Sequence, residues 1–144
     1  MVMMNLDLNG KTALVTASVS GIGLATAQGL AARGARVWIN GRSAERLEKA
    51  ADAVRQRVPG AEVMTVLGDV ATAEGCKSVT DAVRDLDILI NMAGGTDRLV
   101  PFEELTDEDW QYQWDFNVMS AVRLTRHYVW TRRRWYGRFE DRLE

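Results

Sequence analysis

The stretch TASVSGIG, residues 16–23, carries three hydroxyl side chains and two glycines at the end of an apolar run, residues 12–17, and at the start of a segment with helical spacing. The chemistry open to such a stretch is anion binding. Where a strand ends in a glycine-containing turn that opens a helix, backbone N–H groups at the helix N-terminus face outward. The helix dipole there favours negative charge, and a pyrophosphate suits the site. Gly21 and Gly23 permit close approach of the backbone. Thr16, Ser18, Ser20, Gly21, Ile22 and Gly23 are the candidate contact residues. An ordinary βα turn uses the same residue types, so the reading depends on the elements around the loop.

Those elements follow from periodicity. Ile22, Ala25, Leu30 and Ala31 recur at helical spacing up to Gly34, which predicts strand, tight loop and helix. Residues 35–40 form a second strand candidate. Ser43 can cap a helix with Leu47, Ala50, Ala51, Val54 and Val58 inward, ended by Pro59-Gly60. The unit then repeats. Residues 62–67 are strand-like, Thr72 begins a helix with Val79, Ala82 and Val83 inward, and residues 86–91 make a fourth strand. Strands alternating with helices of crossover length place the chain in the α/β class, with a parallel sheet covered on both faces. After Gly94-Gly95 comes a loop to Pro101, and then Thr106-Asp-Glu-Asp109 has the form of a capping box with acids in the first turn. A long helix is predicted, with Val118, Ala121, Val122, Thr125, Tyr128 and Val129 in one apolar stripe lasting to about Trp130.

Composition narrows the class. A chain of 144 residues, 47% hydrophobic and with a net charge of −2, fits one globular domain. Its single cysteine, Cys76, allows no internal disulfide and offers no metal-ligand cluster, so no metal is expected and a reducing, cytoplasmic location is. No signal-peptide pattern opens the chain, and no apolar run approaches the roughly 20 residues that span a bilayer. A near-neutral balance gives nucleic acid no global attraction, although a positive excess lies between Arg123 and Arg138.

TASVSGIG is similar to the T-G-x-x-x-G-x-G loop of the short-chain dehydrogenase/reductase family, and three further signatures follow in that family's order. Asp69-Val70 after the third strand resembles the pair that contacts the adenine. NMAG, residues 91–94, resembles N-N-A-G and brings in Asn91, Ala93 and Gly94. FNV puts Asn117 where the family has its active-site asparagine. Together they cover most of the chain. The resemblance implies a Rossmann-like doubly wound parallel sheet, here incomplete: about four strands in the order 3-2-1-4, plus the long helix. Residues 1–130 would be the dinucleotide-binding portion and residues 131–144 a basic, aromatic tail. The implied activity is NAD(P)-dependent hydride transfer, reducing a small carbonyl compound or oxidising an alcohol. One departure stands out: Ala17 replaces the first glycine, a methyl group where the backbone needs φ > 0 or room for phosphate.

The stretch VWINGRS, at the end of the second strand, bears on the choice of cofactor. Proteins that prefer NAD keep an acid there for the ribose hydroxyls, and a basic residue accommodates the extra phosphate of NADP. Here Gly41 holds the acid position, no carboxylate stands closer than Glu45, and Arg42 offers a guanidinium suited to bidentate phosphate contact. Asn40 precedes them as a further contact candidate. NADP(H) is therefore expected over NAD(H), the alternative being an arginine merely solvated at a helix start.

The family's proton chemistry is not found in these residues. It uses a tyrosine helped by a serine and by a lysine four residues after the tyrosine, because a phenol with a pKa near 10 needs a neighbouring cation to work near neutrality. Four residues after Tyr112, Tyr128 and Tyr136 stand Phe116, Arg132 and Glu140. Arginine does not share the proton chemistry of lysine, and Tyr128 lies on the helix stripe. His127, Ser120 and Thr125 have no partnering acid or base at useful spacing. Of the family's catalytic set only Asn117 is matched, so the chain is expected to be truncated before the Ser and Tyr-x-x-x-Lys and inactive alone.

The closing residues leave several readings open. YGRF, residues 136–139, resembles the start of the family's fifth strand, and then EDRLE departs from it. Shifted by one nucleotide, with suitable codons, residues 139–144 can encode Ser-Lys-Ile-Ala-Ser, which resembles that strand and its active-site serine. A frame shift, a natural short form, an expression boundary and a Leu143-Glu144 cloning scar are the alternatives. The arginine-aromatic mixture also permits stacking on bases or a lipid interface, but no RNA-binding signature accompanies it and Glu140, Asp141 and Glu144 oppose it. An unpaired fourth strand and an uncovered stripe lead to expected self-association as a homo-oligomer. The second functional reading is a non-catalytic NADP(H)-binding or subunit-interaction module.

Overall fold

A computed structural model describes residues 6–96 and 99–136. Four strands, β1 (Thr12–Val15), β2 (Arg36–Gly41), β3 (Val63–Leu67) and β4 (Ile88–Ile90), make one parallel sheet in the order β3-β2-β1-β4. The crossovers are α1 (Gly21–Ala31), α2 (Ala44–Arg57) and α3 (Ala73–Ala82). Val15 lies opposite both Ile39 and Ile90, so β1 and its two neighbours finish nearly level. The strand order reverses between β1 and β4, the position at which open parallel sheets of this kind bind ligands beyond the carboxyl ends of their strands.

Side-chain alternation along β1 divides the interior into two layers. Ala13 and Val15 join Val37 and Ile39 beneath α1 and α2, where Ala27, Leu47, Ala51 and Val54 are buried. Leu14 faces the opposite side, with Val66, Val79, Val83, Leu124 and Tyr128. Each fully buried Val, Leu or Ile contributes about 1.5–3 kcal/mol relative to exposure. The sheet is thus covered on both faces, as the alternation of strands and helices predicts.

The caps form where the sequence has them. Ser43 accepts a hydrogen bond from the Arg46 N–H, and Thr72 from the Gly75 N–H. Thr106 and Asp109 bond reciprocally as a capping box, with Thr106 N–H to Asp109 Oδ2 at 2.9 Å and Asp109 N–H to Thr106 Oγ1 at 3.2 Å. Such a cap contributes about 1 kcal/mol.

Two periodicity readings need correction. Ala82 is exposed; the inward positions of α3 are Cys76, Val79 and Thr80, followed by Val83 at the C-cap. The helix ends at Ala82, and the chain turns so that Val83 rather than Ala82 meets the sheet. The long helix is α4 (Asp107–Trp114), a π-helical turn (Asp115–Met119) and α5 (Ser120–Tyr136) in unbroken succession. Among the described residues its buried positions are Ser120, Leu124 and Tyr128, while Val122 and Val129 remain 42% and 52% exposed. Ser120 can lie inside because its hydroxyl donates to the Phe116 carbonyl at 2.6 Å, so a polar residue joins the docking face, which takes Tyr128 from the apolar stripe and leaves Val122 and Val129 outside it. α5 also continues through residue 130. Residues 137–144, and with them most of the basic-aromatic tail, lie outside the described residues. Among the described residues no helix is long and apolar enough to cross a membrane.

Candidate nucleotide-binding site

The turn after β1 is held from below by three buried polar side chains. The Thr16 hydroxyl accepts hydrogen bonds from the Met92 and Ala93 N–H groups at 2.9 and 3.0 Å, stapling the loop after β4 to the loop after β1. The Ser18 hydroxyl donates to the Val15 carbonyl at 2.7 Å and accepts from the Asn40 N–H at 3.0 Å. The Asn40 amide donates to the Val66 and Gly68 carbonyls and accepts from the Ala17 N–H at 3.3 Å. These three candidates therefore turn their polar atoms inward, tying together the ends of all four strands. Among the described residues no buried side-chain nitrogen or oxygen lacks a partner.

Above that layer the loop is open. Ala17 sits at φ 48°, the left-handed region that its replacement of a glycine foretold. Gly23 is needed for packing: a Cβ there would lie 2.7 Å from the Ala17 carbonyl oxygen and 2.9 Å from Ser18 Cα. Gly21, at φ 56°, differs, because a Cβ there would meet nothing within 4 Å. Ser20, Gly21 and Ile22 are exposed, and Ile22 is 74% exposed despite its apolar side chain. The first turn of α1 holds no acid, whereas those of α2, α3 and α4 do. Its positive dipole end therefore has no acidic side chain in its own first turn to offset it.

At the end of β2, Gly41 is buried and an added Cβ would lie 2.6 Å from Val19 Cγ1. Arg42 is exposed, and its Nη1 donates to the Tyr112 hydroxyl at 3.3 Å. Arg46, one helical turn on, donates from Nη2 to the Ser20 hydroxyl at 3.5 Å. Sequence reasoning missed Arg46 and Tyr112. Spacing of four from Arg42 could have found the first; only tertiary structure brings the second.

The third and fourth strand ends complete the rim. Asp69 accepts the Ala71 N–H on Oδ1 at 3.0 Å, shaping the turn, and Val70 is buried beneath α3. Arg123 reaches that turn, donating to the Ala71 carbonyl at 3.0 Å and to Asp115 at 2.6 Å. Hydrogen bonds from the Gln111 amide and from Arg123 hold the Asp115 carboxyl below its ordinary value. Burial pushes the Cys76 thiol up, with Arg123 opposing the shift. Asn91 is exposed and donates to the Thr125 hydroxyl, Ala93 is half-buried and Gly94 is exposed. Asn117 lies in the π-helical turn and bonds to the Gly95 backbone and to Gln113. π-turns frequently mark functional sites.

Tyr128 has a different place. Its hydroxyl is buried and donates to the Val83 carbonyl at 2.8 Å, and desolvation pushes the phenol up to about 12. It is a core residue.

A family model described as short chain dehydrogenase matches residues 11–135. The chain belongs to that family. Among curated relatives this short-chain dehydrogenase chain is 41% identical over 126 residues to the uncharacterized oxidoreductase YvaG of Bacillus subtilis, covering 88% of the chain and 47% of the relative. It is 34% identical to serine 3-dehydrogenase of Agrobacterium fabrum, covering 81% and 46%. Among solved structures it is similar to L-sorbose reductase from Gluconobacter frateurii, complexed with NADPH and L-sorbose. That likeness has 42% identity and a TM-score of 0.78 and covers 85% of this chain and 48% of that one. The chain spans about half the length of these relatives. The family is one of oxidoreductases that use a nicotinamide dinucleotide.

Proposed function

We propose that this chain forms the dinucleotide-binding part of a short-chain dehydrogenase and takes NADP(H) in preference to NAD(H). The observation that carries the preference is the end of β2. Val19 fills the space into which a side chain at position 41 would project, and Arg42 follows on the exposed rim. A ribose-binding carboxylate is excluded there and a phosphate-binding cation is supplied.

In this reading the backbone around Ser20, Gly21 and Ile22 receives the pyrophosphate, and the open space at Gly21 supports the fit. Arg42 meets the extra phosphate, with Arg46 beside it. The Asp69-Val70 turn lies along the adenine, and residues Asn91, Ala93 and Gly94 line the nicotinamide side. Thr16, Ser18 and Asn40 act by holding these loops in register, and Asn117 by holding Gly95. When bound, the nicotinamide supplies or accepts a hydride. The partner in the longer relatives is a small carbonyl or alcohol.

No tyrosine in these 144 residues has a lysine four positions later. Tyr128, with its phenol pushed up to about 12 and its hydroxyl donating a hydrogen bond to the Val83 carbonyl, is unsuited to proton transfer near neutrality. The chain alone therefore binds cofactor without turnover. A cytoplasmic location accords with its free, buried Cys76. Self-association accords with β4 standing at the sheet edge among the described residues, since an edge strand without a neighbour seeks a partner.

Titration of the chain with NADPH and NADH tests the reading. NADPH is expected to bind about ten-fold more tightly, and Arg42→Ala is expected to abolish the difference. Equal affinities in the unmodified chain would overturn it. Reduction of any member of a ketone panel by the chain alone would overturn the non-catalytic part.

A further inference from the structure

We infer that Tyr112 is a positioning residue that sets the Arg42 guanidinium for the 2′-phosphate of NADP(H). The inference rests on the NADP(H) reading above and adds a residue from the other end of the chain to it.

Arg42 lies on an exposed rim, where a long side chain ordinarily samples many rotamers and gives up that freedom when it binds. Tyr112, on α4, meets it with the hydroxyl at 3.3 Å from Nη1. The acceptor is itself held in place. The Tyr112 ring stacks on Phe116 one turn further on, with centroids 5.8 Å apart and planes 24° from parallel. α4 is anchored at its start by the Thr106-Asp109 capping box. Beyond its end, Asn117 bonds to Gly95. The arginine thus docks on a preset oxygen.

The geometry of the guanidinium decides what this does. Arginine offers five N–H donors in a planar fork. Tyr112 occupies Nη1, on one side of the fork. Among the described residues no partner occupies the opposite edge, formed by Nε–H and Nη2–H, which suits the side-on, two-point contact that phosphate oxygens make. A phenol oxygen is also neutral. It fixes the cation without cancelling its charge, as a carboxylate at the same place would, and among the described residues Arg42 forms no ion pair. A ligand then meets a cation that is already ordered, which lowers the entropic cost of binding. NADH has no 2′-phosphate and gains nothing from it.

The test is a double-mutant cycle in the full chain, with dissociation constants for NADPH and NADH read by tryptophan fluorescence or calorimetry. Tyr112→Phe removes one oxygen and keeps the ring stacked on Phe116. It is expected to weaken NADPH about three- to five-fold, to leave NADH unchanged, and to have no further effect in the Arg42→Ala background. If Tyr112→Phe leaves NADPH affinity unchanged or tightens it while Arg42→Ala removes the preference, the role of Tyr112 is overturned and the cofactor reading stands. Equal weakening of NADPH and NADH would make Tyr112 a merely structural residue and overturn the role too. If Arg42→Ala leaves the preference intact, the cofactor reading fails and Tyr112 with it.

Discussion

Asn117 and Gly95 bond to each other in both directions: the Asn117 amide donates to the Gly95 carbonyl at 3.0 Å, and the Gly95 N–H donates to Asn117 Oδ1 at 2.8 Å. The side chain thus pairs with the loop as a strand neighbour would. The same loop is held at its other end by Thr16, which accepts from Met92 and Ala93. Two side chains from distant parts of the chain therefore set the shape of residues 92–95, which carry no regular structure of their own.

Removing one of those clamps should loosen the loop without unfolding the protein. Asn117→Ala is expected to cost about 1–2 kcal/mol of stability, because the lost bonds are solvent-accessible and each contributes about 0.5–1.5 kcal/mol. Hydrogen exchange at the Gly95 amide should rise about ten-fold while protection in β1 and β2 is unchanged. Unaltered Gly95 exchange would show that the clamp does not order the loop.

Ala17 at φ 48° is strained. The left-handed conformation costs an L-residue about 1–2 kcal/mol, and glycine returns part of that gain through its freer unfolded state. Ala17→Gly should therefore stabilise by about 0.5–1 kcal/mol net, read as a higher urea midpoint at unchanged slope. A lower midpoint would mean that the alanine methyl packs usefully.

At the end of β2 the expected effect is a coupling. Gly41→Asp alone places a Cβ 2.6 Å from Val19 Cγ1 in a buried position, and should cost about 1–3 kcal/mol through overpacking and desolvation of the carboxylate. Val19→Ala together with Gly41→Asp should recover part of that loss and turn the preference toward NADH. Additive stabilities with no change in preference would separate Val19 from cofactor choice.

Tyr128 gives a pH signature. Its phenol is raised from 10.0 to about 12 in the folded chain, so the folded state holds this proton more tightly than the unfolded state does. The stability it contributes is complete below about pH 10 and is lost as pH rises toward about 12. Tyr128→Phe should be less stable at pH 8, having left the Val83 carbonyl without its donor, and should lack that alkaline fall. A parallel fall in both proteins would assign it to other groups.

Self-association should depend on the α5 face as well as on the β4 edge. Val122 and Val129 are 42% and 52% exposed, with Trp130 beyond them at 72%. Light scattering is expected to show species larger than a monomer, shifting toward monomer in Val122→Lys/Val129→Lys. A monodisperse monomer of the unmodified chain would remove this expectation.

Much of the site could be read from residue types because its parts are local. A glycine where the backbone must turn at positive φ, an acid missing before Arg42, and a hydroxyl or carboxylate at Ser43, Thr72, Thr106 and Asp109 all act within a few residues of themselves. The inward roles of Thr16, Ser18 and Asn40 could not be read that way. Apart from the Ser18 bond to Val15, their partners are 22 to 77 residues away, and the type of a polar residue does not say whether its hydrogen bonds go to a ligand or to the protein.

The sequence by itself determined the alternation of strands and helices, their caps, and the order of the motifs along the chain. These depend on local conformational preference and on hydrophobic periods of about two and 3.6 residues. Only the tertiary structure decided which face of α5 is buried. An apolar stripe shows which residues would tolerate burial, but the surface offered by the sheet and α3 chose Ser120, Leu124 and Tyr128, with the serine admitted because its hydroxyl donates a hydrogen bond to the Phe116 carbonyl. The pairing of Arg42 with Tyr112, 70 residues apart, is of the same kind. The turn after β2 and the helix α4 meet at one rim, and no local signal encodes that meeting.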